Sequence, residues 1–585
     1  MNFNFLGRVS RLAAIGAILL GSASCIQINE ELGENLIPTE HKWDVFSPDA
    51  VDLTDIRLQL SDSLSAYSTT RITFGAINSP ELKTDIRSTS FTLIPVRDTM
   101  DFGKNPQIRQ FHFSAVRDTL SVINDNDLKL LQNVYVSELK KELDDDVVYM
   151  GAFSPYTEKG KENIEEYLQP QKRITSGVPV YSGGDSLSFD FSLEFARRFM
   201  EQIDKAQKAE DMDSVSHFLK YLPGIHITTD APAGYGGRIN MFELKMQTNA
   251  YYQITGNYAE LKFTAEYEHS EEPVDTSFLF FFGAGDFIRF GENSNIIYPD
   301  QFALNTSAND SSNNFPKDGI TATADIIVEG GSGIKPVIKA EGIKAILEDL
   351  IGATPIKDPN EVVINKATII MPYDVNGDYG ILDKYPMILS PTVRLRSSEG
   401  DYVTYAGLTD SSISSENQGD INRSTFCYSP DVSHHVQEIL KLDRNDSEYS
   451  KKIENYDIWF LIMHEEIKES SSESDNNDYY NNLLYNSYYN NMMYDPYGYG
   501  GYGYGGGYGY GGYGYGYGGY GYGSNYYNYA MMSYYASMGS GSASTETSST
   551  ELDKDRFYYA VLKGPESADR RPQLKVTFSA PKSAE

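Results

Sequence analysis

The feature that most restricts the fold of this chain is an alternation of apolar and polar residues that recurs from about residue 45 to residue 290. Residues 111–115, 187–191 and 261–267 each place apolar side chains on one face of an extended strand and polar side chains on the other. The apolar run at 278–282 predicts a central strand that is buried on both faces. Helical spacing is confined to short stretches, so the pattern predicts a mainly β protein with a few short helices.

The second half of the chain continues the strand pattern after a break. A Ser/Asn/Asp-rich stretch begins at residue 305 and predicts a linker at 305–318. This linker would separate an N-terminal β-rich domain at 45–304 from a C-terminal β-sandwich domain at 319–585. Short strands with few helices indicate two β-sandwich-like domains. A helix is also expected to begin at residues 429–431, where a serine precedes a proline and an aspartate.

A low-complexity segment at residues 470–550, rich in tyrosine, glycine and asparagine, interrupts the C-terminal domain. Glycine at this density loses more backbone entropy on ordering than isolated tyrosines recover, so we expect a disordered insertion. The strand predicted at 458–463 and the two predicted at 557–562 and 572–578 are expected to share one sheet. The tyrosines fit an adhesive contact element and equally fit a tolerated loop expansion without a role.

The N-terminus has the composition of a bacterial lipoprotein leader. Arg8 and Arg11 precede a short apolar run at 13–20, and small residues follow up to Cys25. The apolar run is too short to span a membrane. This pattern predicts a signal peptide at 1–24, lipidation of Cys25 and a polar tether at 25–44. An ordinary signal peptide, in which the cysteine is incidental, is the alternative.

The charge and the cysteine count exclude several classes of function. A net charge of −33 repels phosphate backbones, so we expect no nucleic acid partner. Membrane attachment must then come from the lipid, and two or more acyl chains on one cysteine are sufficient for stable anchoring. With Cys25 acylated, Cys427 has no partner in the chain for a disulfide. We therefore expect Cys427 to be a small buried residue.

Motifs for metal or nucleophilic chemistry are weak in this sequence. Asp374, Asn376 and Asp378 offer oxygen ligands at alternate positions, as a calcium loop does. A turn with Asn376 and Gly377 at its tip explains the same residues, and we favour the turn. Neither a Gly-x-Ser-x-Gly elbow nor a phosphate-binding loop is present, so we expect no cofactor and assign no catalytic residue.

Four short sequence segments, at residues 32–38, 73–80, 218–225 and 570–576, together with the lipobox, carry a resemblance to known proteins. In this combination the chain resembles an uncharacterised family of Bacteroidota outer-membrane lipoproteins, which is classed as a domain of unknown function. The resemblance covers most of the mature chain outside the insertion. It implies an outer-membrane location and supplies no catalytic or binding residues.

These observations lead to one expected function and two alternatives. We expect a non-catalytic outer-membrane lipoprotein, exposed at the cell surface, that acts as an accessory component of a cell-envelope complex around a β-barrel partner. The acidic pair Glu30-Glu31 resembles the signal that surface-exported lipoproteins of Bacteroidota carry after the lipidated cysteine, which implies the surface location, and a periplasmic location is the alternative. A glycan-binding surface lipoprotein is the alternative, and a glycoside hydrolase-like enzyme is the third interpretation.

Overall fold

The computed structural model describes residues 42–582 except for 62–63, 80–82, 143–155, 158–159, 162–172, 209–214, 250–252, 269, 291–295, 310–317, 357, 397–401, 413–416 and 469–546. Strands predominate in several sheets, and the helices are few and mostly short. The predicted mainly β fold class is therefore confirmed. The signal peptide, most of the tether and most of the Tyr/Gly-rich insertion lie outside the described residues.

The helices and strands fall into three successive stretches of the chain. The described part of the chain begins with β1 (Trp43–Phe46), β2 (Val51–Asp52) and β3 (Ile56–Leu60). Residues 64–309 carry β4 (Tyr67–Ser68), β5 (Arg71–Ser79), β6 (Lys83–Phe91), β7 (Leu93–Pro95), β8 (Lys104–Val122), β9 (Gln132–Asn133), β10 (Tyr135–Glu138), β11 (Tyr156–Thr157), β12 (Gly160–Lys161), β13 (Val180–Tyr181), β14 (Ser186–Asp190), α1 (Leu193–Lys208), α2 (Val215–Leu219), β15 (Ile225–Thr228), β16 (Gly236–Glu243), β17 (Gln247–Thr248), β18 (Ile254–Gly256), β19 (Tyr258–Glu266), β20 (Val274–Phe282), β21 (Arg289–Phe290), β22 (Ile296–Ile297) and β23 (Ala303–Asn309). Residues 318–582 carry β24 (Ile320–Thr321), β25 (Asp325–Glu329), β26 (Ile334–Ile338), α3 (Ala340–Gly352), β27 (Val363–Pro372), β28 (Ile388–Arg396), β29 (Tyr402–Gly407), β30 (Ile421–Asn422), β31 (Cys427–Tyr428), α4 (Ser433–Lys441), α5 (Tyr449–Glu454), β32 (Ile458–Lys468), β33 (Thr547–Leu552), β34 (Tyr559–Lys563) and β35 (Gln573–Pro581). Short 3₁₀ helices lie at Asp125–Lys129, Pro359–Glu361, Tyr379–Lys384 and Thr409–Ser412.

The two ends of the described chain together form a β-sandwich. One sheet has the strand order β1-β35-β27-β31-β30, with β2 also paired to β35, and the other has the order β24-β3-β26-β32-β28-β29, with β33 paired to β32. Apolar side chains from both sheets share one core, which includes Phe578 of the first sheet and Phe460 of the second. Helices α3 and α4 contribute Ile343 and Val436 to the same core.

Residues 64–309 form a second unit, which is inserted into the sandwich. Leu58 of β3 pairs with Ile320 of β24, so the chain leaves the sandwich and returns to it at neighbouring points. The main sheet of the inserted unit follows the order β6-β5-β16-β8-β19-β20-β7. The first and last strands of this order, β6 and β7, are consecutive in the chain and are separated only by Thr92. The sheet therefore curls round, so that its last strand follows directly on its first.

Phenylalanine side chains fill the space inside this curled sheet. The ring of Phe113 on β8 stacks on Phe282 of β20, with centroids 4.6 Å apart, and lies 6.2 Å from the ring of Phe91 on β6. Helix α1 adds Phe195 and Phe199 to the same core. Each aromatic ring buries a large apolar area, so this core accounts for the phenylalanines at alternate positions of the predicted strands.

The order of the domains along the chain differs from the sequential order predicted above. The N-terminal domain was predicted to begin at residue 45, but β1, β2 and β3 pair with β35 and β26 of the sandwich. Trp43, for example, pairs with Pro581 at the opposite end of the chain. An alternating pattern identifies a strand but not its partner, so this long-range pairing could not be deduced from the sequence.

The linker predicted at 305–318 begins as a strand, because β23 pairs with β6. Within β23, the half-buried Asn305 and the buried Ser307 are hydrogen-bonded. Asn305 Nδ2 donates to Asp555 Oδ1 at 3.2 Å, and Ser307 Oγ donates to Asp85 Oδ1 at 2.6 Å. The polar residues Asn305 and Ser307 therefore belong to a hydrogen-bond network within and beside a strand, and the bond to Asp555 joins the two units.

The strands on either side of the low-complexity segment form an antiparallel hairpin. β32 pairs with β33 up to the pair Lys468 and Thr547. The insertion was predicted to extend to residue 550, so the strand β33 was missed because its Ser/Thr-rich sequence resembles the end of the insertion. The two later strands exist as β34 and β35, but they pair with β25 and with β1 and β27. The prediction that they share a sheet with β32 is wrong.

Two local predictions need smaller corrections. Strand β20 lies between β19 and β7, as expected for a central strand, but only Phe280, Phe281 and Phe282 are fully buried. Helix α4 begins at Ser433, two residues beyond the predicted start at 429–431.

The N-terminus of α4 is capped by a residue that is remote in sequence. The carboxylate of Asp410 accepts the backbone N–H groups of His434 at 2.6 Å and His435 at 3.1 Å. A carboxylate at this position satisfies unpaired N–H groups and interacts favourably with the helix dipole. Local sequence around residue 431 could not reveal this cap.

A buried ionic network joins the inserted unit to the sandwich. Arg87 of β6 donates from Nε to Asp85 Oδ2 at 3.1 Å and from Nη1 to the carbonyl oxygen of Lys554 at 2.8 Å. Gly331, in the turn between β25 and β26, has a φ of +57°, and a Cβ there would lie 2.5 Å from Arg87 Nη2. The positive φ favours glycine at this position, and the missing Cβ leaves room for the Arg87 guanidinium. An apolar cluster also spans the junction, formed by Ile77, Ile239 and Phe557.

Candidate functional site

The predicted lipidation site and the second cysteine have different positions relative to the described structure. Cys25 lies outside the described residues, so its lipidation stays a prediction. Cys427 lies on β31 and is buried with a free thiol, as the sequence predicts. Within the described part of the chain, no helix is both long enough and apolar enough to cross a membrane.

The predicted calcium loop is a tight turn. Asn376 and Gly377 occupy its centre with φ values of 47° and 83°. The side chain of Asp374 accepts the Asn376 N–H, and that of Asp378 accepts the Gly380 N–H, both at 3.0 Å. This is the turn favoured above, with its carboxylates engaged in local backbone hydrogen bonds. Across the described residues, no group of three or more His, Cys, Asp or Glu side chains is arranged to hold a metal ion.

A serine, a histidine and an aspartate come together on the solvent-facing side of the inserted unit. His112 Nδ1 lies 2.7 Å from Asp190 Oδ1, and His112 Nε2 lies 3.0 Å from Ser188 Oγ. His112 belongs to β8, and both other residues belong to β14, which pairs with it. The order of hydrogen bonds is that of a nucleophile, a base and the group that orients the base. No sequence motif marks this constellation, because the three residues meet only through the pairing of β8 with β14.

The surroundings of these three side chains do not support covalent catalysis. Side chains stand perpendicular to a sheet, whereas the backbone N–H groups of a strand lie in its plane. The N–H groups of β14 therefore cannot converge on an oxyanion that forms above Ser188. His112 and Asp190 are both partly exposed to water, and Gln110 Nε2 also donates to Asp190 Oδ1 at 2.9 Å. The arrangement is best described as a polar hydrogen-bonded ladder across two strands.

Two small cavities in the described structure are also unsuited to substrate binding. One, of about 10 Å³, is lined mainly by apolar residues and by Glu138, and the other, of about 20 Å³, lies at the junction beside Arg87 and Asp555. Each has room for about one water molecule. Each is lined by a single carboxylate, whereas glycoside hydrolysis requires a facing pair. Neither cavity is lined by the residues of the His112 ladder.

Comparison with known proteins adds no functional assignment. No family model, curated protein or solved structure matches this chain. The assignment of a function therefore depends on the chemistry and the position of its own residues.

The most exposed aromatic side chains of the described residues belong to different parts of the fold. Trp43, Tyr235, Phe290 and Tyr379 are the most exposed of them. Trp43 lies on β1 and Phe290 on β21, while the two tyrosines lie outside the strands. Glycan-binding sites stack sugars on neighbouring aromatic rings. The glycan-binding alternative stays a prediction.

Two buried histidines have pKa values that are shifted by their surroundings. His226 Nδ1 lies 2.8 Å from Ser90 Oγ, and burial lowers the pKa of His226 to about 4. His435 Nε2 lies 2.8 Å from the carbonyl oxygen of Tyr456, and burial lowers the pKa of His435 to about 3. Both imidazoles are neutral at pH 7 and line neither cavity, so they are structural residues.

Proposed function

We propose that this protein is a lipid-anchored, non-catalytic lipoprotein of the outer membrane that acts as an accessory component of a cell-envelope complex. The observation that carries the proposal is the leader followed by Cys25 after a small-residue stretch. About 17 residues after this cysteine, the chain enters β1 of the sandwich. The anchor would therefore hold the sandwich directly, and the inserted unit would be carried by the sandwich.

The construction of the body supports an interaction role. Arg87 and the neighbouring apolar cluster fix the inserted unit against the sandwich, which gives partners a large and well-defined surface. The His112 ladder lacks an oxyanion site, and the two cavities are too small for a substrate. A β-barrel membrane protein is the proposed partner, and the cell surface is the proposed location.

A cross-linking experiment on intact cells tests both the partner and the location. A membrane-impermeant cross-linker is applied to cells that express the full chain with an affinity tag, and the products are purified in detergent. We expect a defined cross-linked product with one outer-membrane protein, because the body would face outward. Cross-linking only after the outer membrane is broken would instead place the body in the periplasm. A chain that yields only monomer under both conditions would contradict the proposed complex.

A further inference from the structure

An exposed apolar row lies on the outward face of the sheet that contains β1. Val45 of β1 and Val363 of β27 both pair with Ser579 of β35, from opposite sides, so the three side chains stand in one line. Trp43 precedes Val45 by two residues and therefore shares its face. Trp43 is 49% exposed, and both valines are also exposed. We refer to Trp43, Val45 and Val363 as the apolar row.

The opposite face of the same strands packs into the core. Phe46 of β1 stacks on Phe578 of β35, with ring centroids 5.4 Å apart. The register of β1 is therefore fixed from the inside, since a shift by one residue would move Phe46 out of the core. The apolar row is consequently held outward by the fold.

Lysines border the apolar row. Lys42 and Lys582 are joined by a backbone hydrogen bond of 2.8 Å, beside the end of the strands where Trp43 lies. Lys575 is exposed further along β35, whereas Lys366 of β27 forms an ion pair with Asp431 at 3.5 Å. Tryptophan with flanking lysines is the composition that proteins place at the boundary between lipid and water.

We propose that the apolar row rests on the surface of the bilayer that holds the anchor, with Trp43 at the level of the lipid headgroups. The inference rests on the proposed lipidation of Cys25. About 17 residues separate this cysteine from Lys42, and they can span at most about 60 Å. A flexible chain of this length has an average span of about 20 to 25 Å. The anchor therefore keeps this edge of the sandwich close to the membrane, where the exposed Lys575 and Lys582 complement the headgroup phosphates.

Tryptophan fluorescence gives a direct test, because the chain has only two tryptophans. Trp459 is 4% exposed, because Tyr405 and Arg394 cover its ring on the face of β32 that points away from the sandwich core, so contact with lipid should affect Trp43 alone. The lipidated full chain is reconstituted on vesicles of phosphatidylcholine with a minor fraction of phosphatidylglycerol, with and without brominated acyl chains. We expect the brominated lipid to quench the wild-type emission severalfold more than that of Trp43→Phe. The double variant Val45→Asp, Val363→Asp should lose this extra quenching, whereas the control Phe290→Asp should keep it.

Flotation of the same samples separates this inference from the proposed anchoring. If the protein floats with the vesicles and the wild type is quenched no more than Trp43→Phe, the inference is overturned and the anchor stands. If the protein does not float, the anchor is wrong. The same quenching test is then made with a hexahistidine tag in place of Cys25 and a nickel-chelating lipid, where quenching supports the contact and its absence overturns it. A concentration-dependent blue shift of Trp43 emission without vesicles would assign the row to a second copy of the chain, which also overturns the proposal.

Discussion

At the residue scale, His112 has the hydrogen-bond partners of a catalytic base but lacks the surroundings that catalysis requires. Its two ring nitrogens contact Ser188 Oγ and Asp190 Oδ1 at ordinary hydrogen-bond distances. Activation of a serine also requires donors aimed at the developing oxyanion and a site that excludes water. A flat strand in contact with solvent offers neither of these.

We predict that Ser188 is not a reactive nucleophile. A fluorophosphonate probe should leave Ser188 unlabelled, and Ser188→Ala should change the free energy of unfolding by no more than about 0.5 kcal/mol, because the residue lies at the surface. Mass spectrometry of the treated protein and denaturant unfolding measure the two effects. Labelling of Ser188 that disappears in His112→Ala would instead assign a hydrolytic site to the ladder.

The buried His226 predicts a loss of stability in mild acid. Its pKa is about 4 in the folded protein and about 6.5 when the chain is unfolded, because burial disfavours the charged imidazole. The unfolded chain therefore binds the proton more readily. The contribution of His226 is complete above pH 6.5 and is lost as the pH falls towards 4, by about 3 kcal/mol.

Denaturant unfolding between about pH 7 and pH 4 measures this dependence. His226→Gln should be less stable than the wild type at neutral pH, and its stability should decrease less steeply with falling pH. Leu131→Ala is the control, because Leu131 is exposed and does not titrate, and it should keep the wild-type slope. Equal slopes for His226→Gln and the wild type would refute the burial of a neutral His226.

At the element scale, the strands with regular alternation were predictable and their partners were not. β8, β14 and β19 coincide with the alternating segments, because a half-buried strand requires that pattern. β33 was missed because pairing with β32, rather than its own composition, makes its Ser/Thr sequence a strand. β23 was interpreted as a linker because Asn305 and Ser307 are polar, although buried partners satisfy them. In each case the deciding contact comes from a residue far away in sequence.

Even less of the candidate site could be predicted from the sequence. Ser188 and Asp190 were recognised only as the polar side of a predicted strand, and His112 as the polar side of another. The three side chains come within hydrogen-bond distance only because β8 and β14 pair in this register. Trp43 and Val363 likewise become neighbours only through β35, which lies between their strands.

The hairpin of β32 and β33 predicts that residues 469–546 are dispensable for folding. Lys468 and Thr547 are paired, so a two-residue Asn-Gly turn can join them directly. Loop-closure entropy grows only logarithmically with length, and the replacement should change the free energy of unfolding by about 1 to 3 kcal/mol at most. Thermal unfolding of the shortened chain beside the full chain measures this.

Two results of that experiment have different meanings. Loss of the cooperative transition would show that the Tyr/Gly-rich segment packs against the folded body, contrary to the prediction. A normal transition together with a lost cross-linked partner would identify the segment as a contact element and decide between its two interpretations.

At the scale of the whole molecule, Arg87 is the residue that most directly couples the two units. Arg87→Ala would leave Asp85 buried without its guanidinium partner and would leave the Lys554 carbonyl without its donor. Loss of one member of a buried ion pair costs about 3 to 5 kcal/mol. We expect the variant to unfold at a lower temperature and in two calorimetric steps, since the inserted unit would no longer be fixed to the sandwich.

A surface arginine of the same unit provides the control for this prediction. Arg109 is exposed and contacts Thr264 at 2.9 Å, so Arg109→Ala should unfold as the wild type does. A single unchanged transition in Arg87→Ala would mean that the apolar cluster around Phe557 is sufficient to couple the units.

The central claim is that Cys25 anchors this body to a membrane through acyl chains. The chain has only two cysteines, so Cys427, which is buried, provides an internal control. The most direct measurement is incorporation of labelled palmitate, together with membrane flotation, in the wild type, Cys25→Ala and Cys427→Ala. We predict labelling and flotation of the wild type and of Cys427→Ala, and loss of both in Cys25→Ala. A Cys25→Ala protein that still incorporates palmitate and stays with the membrane would contradict the account.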